Sequence, residues 1–124
     1  YRDMGLEKPK DFTEFFKTFV KTWDANNLIA LATTWQRNDV GKTPQFNGDS
    51  EAALASIKSE VLYMACETDQ YFHIGALRWE AERIPDADFV VIPSLWGHMA
   101  GAGFSEVDAN FINERVAVFL NSDN

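Results

Sequence analysis

Two short apolar runs constrain the fold of this 124-residue chain more than any other feature. Residues 61–66 (Val-Leu-Tyr-Met-Ala-Cys) and 89–92 (Phe-Val-Val-Ile) have the length and continuous apolar character of strands that are covered on both faces of a parallel sheet. Between them, a polar break leads into a helical stretch over 75–84 that stops at Pro85. A strand, a helix and a strand in this order predict a right-handed crossover and an α/β fold.

Further helices are expected on both sides of this unit. Asp11 starts a capping box, and bulky apolar residues follow it at helical spacing as far as Trp23. This aromatic stripe is interpreted as core or as a seam between helices. The other expected segments are a helix over 26–37, a loop over 42–49, a short helix over 50–58, and a last helix that the capping box at 105–108 starts.

Two parallel strands do not make a finished sheet. Their edges and faces would stay open, so the sheet needs more strands than these 124 residues supply. The sequence also starts with Tyr1 and not with an initiator methionine. We therefore expect the chain to be a piece of a larger α/β domain.

Charge and composition disfavour several functions. The net charge of −8 has the wrong sign for nucleic acid, and seven of the eleven basic residues lie in 1–42, where an anionic ligand would prefer to bind. No apolar run approaches the roughly 18 residues of a membrane span, and no signal-peptide core is visible, so a cytoplasmic protein is expected. Cys66 is expected to be a buried thiol, and no zinc site is expected from two histidines and one cysteine without close spacing.

Candidate catalytic residues follow the ends of the two predicted strands. Asp69 stands three residues after Cys66, and His98 stands six residues after Ile92. Because parallel strands end at the same edge of a sheet, a carboxylate and an imidazole are expected to meet there. That pairing fixes a histidine tautomer and stabilises its charge during proton transfer.

The nucleophile that such a pair would serve is missing. No Gly-x-Ser-x-Gly occurs, and none of the six serines is expected on a sharp turn from strand to helix. The structural alternatives are a turn aspartate at Asp69 and a loop histidine at His98. The other histidine, His73, is expected to pack against the helix that follows it.

Three segments resemble homoserine O-acetyltransferase-like proteins, and the resemblance covers about residues 11–120. Residues 19–28 (Phe-Val-Lys-Thr-Trp-Asp-Ala-Asn-Asn-Leu) are similar to the lid segment of that family. Residues 67–72 (Glu-Thr-Asp-Gln-Tyr-Phe) are similar to the loop that carries the aspartate of its catalytic triad. Residues 96–98 (Trp-Gly-His) resemble the motif that supplies the triad histidine.

The resemblance implies the C-terminal part of an α/β-hydrolase fold, with a helical lid over 1–45 and strand-helix-strand-helix core over 46–124. Asp69 would orient His98, and His98 would be the general base for a serine on an N-terminal half that is absent here. An acyl-serine intermediate and dimerisation through the lid helices are further implications. No cofactor is expected to stay bound, although acyl-CoA is a possible co-substrate.

The residue after His98 departs from the family pattern. Homoserine acetyltransferases tend to have an aspartate there, which suits the substrate ammonium, whereas this chain has Met99. Met99 and Tyr71 are the candidate substrate-binding residues. The predicted function is acyl transfer through an acyl-serine intermediate. The alternatives are an ester hydrolase of the same fold acting on a small ester, and a non-catalytic fragment or partner chain.

Overall fold

The computed structural model describes residues 2–122 and divides the chain into two units, Tyr1–Asp39 and Val40–Asn124. The first unit contains a short 3-10 helix, Arg2–Met4, and the helices α1 (Pro9–Val20) and α2 (Ala25–Arg37). Neither α1 nor α2 has a buried residue within this unit. Both predicted helices are confirmed, whereas the proposed use of residues 1–45 as a lid stays a prediction.

The start of α1 differs from the sequence prediction. Asp11 does not cap the helix; it occupies the third helical position, and its Oδ2 accepts a hydrogen bond from Lys8 N at 2.8 Å. Pro9 takes the first position, where the missing N–H costs no helical hydrogen bond. The start of α2 follows the usual rule, because Asp24 accepts from Asn27 N at 2.9 Å.

The aromatic stripe of α1 forms a ladder of rings. Phe12, Phe16, Phe19 and Trp23 follow one another with centroid separations of 5.8, 6.2 and 5.1 Å. All four rings are exposed within the described residues. The helical spacing was predicted correctly as far as Val20, whereas Trp23 lies in the turn after α1. The described residues of this unit leave the stripe uncovered.

The second unit consists of a parallel strand pair with helices. Its elements are a 3-10 helix at Val40–Lys42, α3 (Ser50–Ala55), β1 (Val61–Cys66), α4 (Ile74–Ala81), β2 (Ala87–Ile92), a 3-10 helix at Gly97–Ala102, and α5 (Glu106–Asn121). Strands β1 and β2 pair in parallel, from Val61 opposite Ala87 to Cys66 opposite Ile92. The predicted strands, their order and their direction are confirmed.

Several predicted boundaries shift by two or three residues. Helix α3 ends at Ala55, three residues before the predicted 58, and α4 ends at Ala81 because tight i to i−3 bonds form at Arg83 and Ile84 before Pro85. Strand β2 starts at Ala87, two residues earlier than its apolar run. Pairing with β1 extends it over Asp88, which is exposed.

The buried core of this unit lies at the carboxyl ends of both strands. Cys66, Ile92 and Ala100 form its centre, and Trp96 and Phe111 pack against it. The first four residues of β1 are only half-buried on this chain. Among residues 2–122, no helix is both long enough and apolar enough to cross a bilayer.

Candidate active site

The structure brings Asp69 and His98 together at the carboxyl edge of the sheet. Both strands end at this edge because they are parallel, and Asp69 N donates to Cys66 O at 3.2 Å, which turns the chain directly after β1. His98 lies near the start of the 3-10 helix that follows β2. Its Nδ1 is 3.1 Å from Asp69 Oδ2, within hydrogen-bonding distance.

The Asp69 carboxylate is buried and is held by its own loop. Its Oδ1 accepts hydrogen bonds from the backbone N–H groups of Tyr71 at 2.7 Å and Phe72 at 3.1 Å, which leaves Oδ2 for His98. Burial by itself would raise the pKa of Asp69. The two backbone donors and His98 outweigh it, so the pKa of this carboxyl lies below its ordinary value and the group is ionised at neutral pH.

The Nδ1 edge of the His98 ring is held by Asp69, whereas the rest of the ring is partly open. The rings of Tyr71 and Phe72 contact it, with centroid separations of 4.9 and 5.2 Å. The side chain remains 40% exposed. When Nδ1 donates to the carboxylate, the tautomer leaves the lone pair on Nε2, so the open edge can accept a proton from a reacting group.

The loop before His98 is held by buried polar groups. Ser94 and Asp108 are only 4% and 6% exposed, and Ser94 Oγ donates to Asp108 Oδ2 at 2.5 Å. The same Oγ accepts from Trp96 N at 3.0 Å. Ser94 therefore connects the loop to α5, and its hydroxyl is used within the fold.

A second hydroxyl, that of Thr68, joins the two loops. It donates to Ser94 O at 2.6 Å and accepts from Gly97 N at 3.2 Å. Gly97 has a φ of +54°, and a Cβ there would lie 3.2 Å from Thr68 O. Glycine is thus required immediately before His98 by both backbone conformation and space.

The sequence patterns indicate Asp69 and His98 but not Thr68, Ser94 and Asp108. Asp108 belongs to the predicted capping box at 105–108, where its N–H donates to Ser105 Oγ at 3.2 Å. The available signal was an acidic residue near the start of a helix, together with a serine in the loop between the preceding strand and that helix. This signal does not show which residues are in contact.

The sequence also pointed to Tyr71 and Met99 as substrate-binding residues and to His73 as a packing residue. Tyr71 is 74% exposed with its ring against His98, whereas Met99 is 44% exposed and is not among the residues that line the cavity beside the pair. Their roles in substrate binding stay predictions. The prediction for His73 was wrong: it is exposed, and its Nδ1 caps α4 by accepting from Gly75 N at 3.3 Å.

A cavity of about 460 Å³ opens beside Asp69 and His98. Its lining includes Met64, Cys66, Phe72, Leu77, Ile92 and Ala100, so its walls are mostly apolar. Tyr63 and Glu80 are polar lining residues, joined by a 2.6 Å hydrogen bond. Burial, together with the hydrogen bond to Glu80 and the charge of Glu80, raises the pKa of Tyr63 above its ordinary value, so the phenol stays neutral.

Within the part of the chain that the structure describes, no three His, Cys, Asp or Glu side chains come close enough to hold a metal ion. Cys66 is buried as predicted, and its Sγ lies 3.3 Å from Ser94 O. At this edge the Asp69–His98 pair can support proton transfer at His98, because the ionised carboxylate stabilises the protonated ring.

The sequence is similar to those of two ester hydrolases and one O-acetyltransferase. It is 30% identical over 115 residues to an ethyl acetate hydrolase of Pseudomonas veronii, a match that spans 92% of this chain and 32% of that protein. It is 30% identical over 113 residues to a probable esterase of Corynebacterium glutamicum, covering 90% and 31%. A homoserine O-acetyltransferase of Clavibacter michiganensis is 32% identical over 101 residues, covering 77% and 25%. No protein-family model matches the sequence.

Two solved structures share this fold. The acetyl esterase MekB superposes with a TM-score of 0.88 at 30% identity, covering 98% of this chain and 35% of that chain. An acetylester hydrolase from Corynebacterium glutamicum gives 0.84 at 28% identity, covering 92% and 32%. The chain therefore has the fold of the C-terminal part of an α/β-hydrolase, and it spans about a third of the length of the relatives it matches.

Proposed function

We propose that this chain supplies the aspartate and histidine of an α/β-hydrolase-fold serine enzyme that hydrolyses small acetyl esters. The observation that carries the proposal is the 3.1 Å contact between His98 Nδ1 and the buried Asp69 carboxylate, at the edge where both strands end. The two relatives whose matches cover the larger shares of this chain are an ethyl acetate hydrolase and a probable esterase, which favours hydrolysis over acyl transfer. The apolar cavity beside the pair suits a small ester better than a charged substrate.

In this proposal His98 acts first as general base and then as general acid. Nε2 accepts the proton of a serine hydroxyl as its Oγ bonds to the ester carbonyl carbon, and the same proton passes to the leaving alkoxide as the carbon–oxygen bond breaks. A water molecule then attacks the acyl-serine and loses its proton to Nε2, which passes this proton to serine Oγ as the acyl carbon–Oγ bond breaks and the acid leaves. Asp69 stays ionised and stabilises the protonated ring.

The serine belongs, in this proposal, to a polypeptide portion that precedes the present segment. The short coverage of the relatives supports this, since each match leaves about two thirds of the relative's chain unaccounted for. Ser94 is a poor candidate because it is buried and its hydroxyl donates to Asp108. The polypeptide that carries both portions is called the complete enzyme below.

The decisive experiment compares the two histidines of this chain in the complete enzyme. Hydrolysis of p-nitrophenyl acetate is measured for His98→Ala and for His73→Ala, the matched control, whose ring only caps α4. We expect at least about a 10³-fold loss of kcat for His98→Ala and a change within a few-fold for His73→Ala. Equal rates for the two variants would remove His98 from the mechanism.

Acyl transfer to an alcohol is the second candidate function. The 32% identity to a homoserine O-acetyltransferase favours it, and the donor in this proposal is acyl-CoA. The position after His98 holds Met99, whose thioether cannot balance an ammonium, so this position gives no support to homoserine as the acceptor. Acyl-CoA consumption by the complete enzyme, with and without candidate alcohols, separates the two: stimulation by an alcohol with ester formation identifies transfer, and acid release without stimulation identifies hydrolysis.

The proposal also includes a homodimer that forms through the helices of the first unit. It is supported by the exposed ring ladder of α1, which is the kind of apolar surface that partner chains cover. Light scattering on the complete enzyme tests it, with Phe16→Glu expected to convert a dimer to a monomer. A monomeric unsubstituted enzyme would remove this part of the proposal and leave the chemistry untouched.

A further inference from the structure

The loops that carry Asp69 and His98 are joined through one side-chain oxygen. Thr68 Oγ1 donates to Ser94 O at 2.6 Å and accepts from Gly97 N at 3.2 Å. Thr68 is the residue immediately before Asp69, and Gly97 is the residue immediately before His98. A single hydroxyl therefore lies one residue away from each member of the candidate pair.

This position requires a group that both donates and accepts. A hydroxyl has one donor hydrogen and two acceptor lone pairs, and here it uses both functions toward the same loop. It binds the loop near its start, at the Ser94 carbonyl, and near its end, at the Gly97 amide. The two bonds fix residues 94–97 relative to β1, so they limit how far His98 can move from Asp69.

The other side of the loop is anchored independently of Thr68. Ser94 Oγ donates to the buried Asp108 of α5 and accepts from Trp96 N. Cys66 Sγ, on β1, lies 3.3 Å from the same Ser94 carbonyl. The loop is thus held to α5 by Ser94, to β1 by Cys66 and to the Asp69 loop by Thr68, and the Thr68 contact reaches the residue next to each candidate catalytic residue.

We infer that Thr68 is a positioning residue for His98, whose hydroxyl sets the distance between the imidazole and the Asp69 carboxylate. The inference rests on the proposed function, because it assigns Thr68 a purpose in proton transfer at His98. Thr68 touches neither substrate nor reacting atoms in this role. It acts through the Gly97–His98 peptide and through the start of the loop.

The test replaces the hydroxyl while keeping the shape. In the complete enzyme, Thr68→Val removes both hydrogen bonds, Thr68→Ser keeps them, and Thr33→Val is the matched control, since its hydroxyl bonds to Ile29 O within α2. We expect Thr68→Val to lower kcat for p-nitrophenyl acetate about 10- to 100-fold with KM within about threefold, as displacement of a catalytic group does. Thr68→Ser and Thr33→Val should stay within about threefold of the unsubstituted enzyme.

A second comparison separates positioning from folding. Rates are normalised to sites titrated with a fluorophosphonate, so loss of folded protein does not count as loss of kcat. Thr68→Ser should then recover the kcat that Thr68→Val loses, because it restores the hydroxyl. If Thr68→Val does not fold, Thr68→Ala removes the same hydroxyl without adding bulk and should show the same loss of kcat.

Two results would overturn the inference. One is an unchanged kcat in Thr68→Val per titrated site; the other is an equal loss in Thr68→Ser, which would make the methyl group or the backbone responsible. Failure here is distinct from failure of the proposed function. A fully active His98→Ala would overturn the function itself, whereas an inactive His98→Ala beside a fully active Thr68→Val overturns only the assignment of Thr68.

Discussion

The loops that follow the two strands begin at the same edge of the sheet but are held in different ways. In the first, over 67–73, the carboxylate is held by its own loop: Asp69 Oδ1 accepts from the amides two and three positions ahead. In the second, over 93–98, side-chain contacts from outside the loop come from Cys66, Thr68 and Asp108, which are far along the chain. The carboxylate is thus placed locally, and the imidazole is placed by tertiary contacts.

The two candidate residues should therefore respond differently to substitution. Replacing the Asp69 carboxylate should alter its charge while leaving the shape of the first loop intact. Substitutions at the contacts of the second loop should displace His98, even though the contacting residues lie 14 to 29 positions apart in the sequence.

Asp69→Asn should have the largest effect, on activity and not on the fold. The Asn oxygen can still accept from the amides of Tyr71 and Phe72, but an NH₂ group facing His98 favours the wrong tautomer of the ring. We expect kcat of the complete enzyme to fall about 10⁴-fold. The measurement is p-nitrophenyl acetate turnover, and a melting temperature within about 2 °C of the unsubstituted enzyme would show that the first loop keeps its shape.

Gly97→Ala should destabilise the second loop. A left-handed backbone costs a residue with a Cβ roughly 1–2 kcal/mol, and the new methyl would press on Thr68 O. We expect a loss of about 2 kcal/mol in the free energy of unfolding, measured by urea denaturation, together with reduced turnover. Gly101→Ala is the matched control because its Cβ would meet nothing within 4 Å; equal losses at both glycines would refute this explanation.

Ser94→Ala tests the anchor between the second loop and α5. The substitution leaves the buried Asp108 carboxylate and the Trp96 amide without their hydroxyl partner. We expect the free energy of unfolding to drop by about 1–3 kcal/mol. Ser122→Ala removes an exposed hydroxyl that bonds to Phe119 O and should change it by less than about 0.5 kcal/mol. No difference between the two would mean that the anchor contributes nothing measurable.

Acid titration should have the smallest effect, and it concerns the first loop. The pKa of Asp69 is lower in the folded chain than in the unfolded one, so its interactions stabilise the fold fully above the ordinary carboxyl pKa of about 3.9. This contribution is lost only as pH falls through the lower folded value. The carboxyl ¹³C shift of Asp69 should therefore titrate at lower pH in the native enzyme than in urea, and coincident midpoints would contradict the role of its backbone donors.

Much of the fold was predictable because its signals are local. Apolar runs of strand length marked β1 and β2, the apolar residues of 26–37 marked α2, and the capping box at 105–108 marked the start of α5. Where prediction was wrong, a competing local contact decided the outcome. Asp11 bonds back to Lys8 N instead of capping α1, and His73 caps α4 instead of packing on it.

The candidate site was predictable only in part. The meeting of Asp69 with His98 followed from the order of elements, since parallel strands end at one edge. The partners of the second loop did not follow, because Thr68 has no pattern that distinguishes it from other threonines and Asp108 has the pattern of an ordinary first-turn acid. The placement of Met99 away from the cavity lining was also not predictable from its neighbour His98.

Local patterns in the sequence predict which segments form helices and strands and in what order, and hence the edge at which a carboxylate and an imidazole meet. Periodicity and capping depend on neighbours within a few positions, so they can be deduced from the chain alone. The way His98 is held depends on tertiary contacts, because the hydroxyls of Thr68 and Ser94 reach partners that are distant in sequence. Those contacts depend on strand register and on the position of α5, which no local pattern specifies.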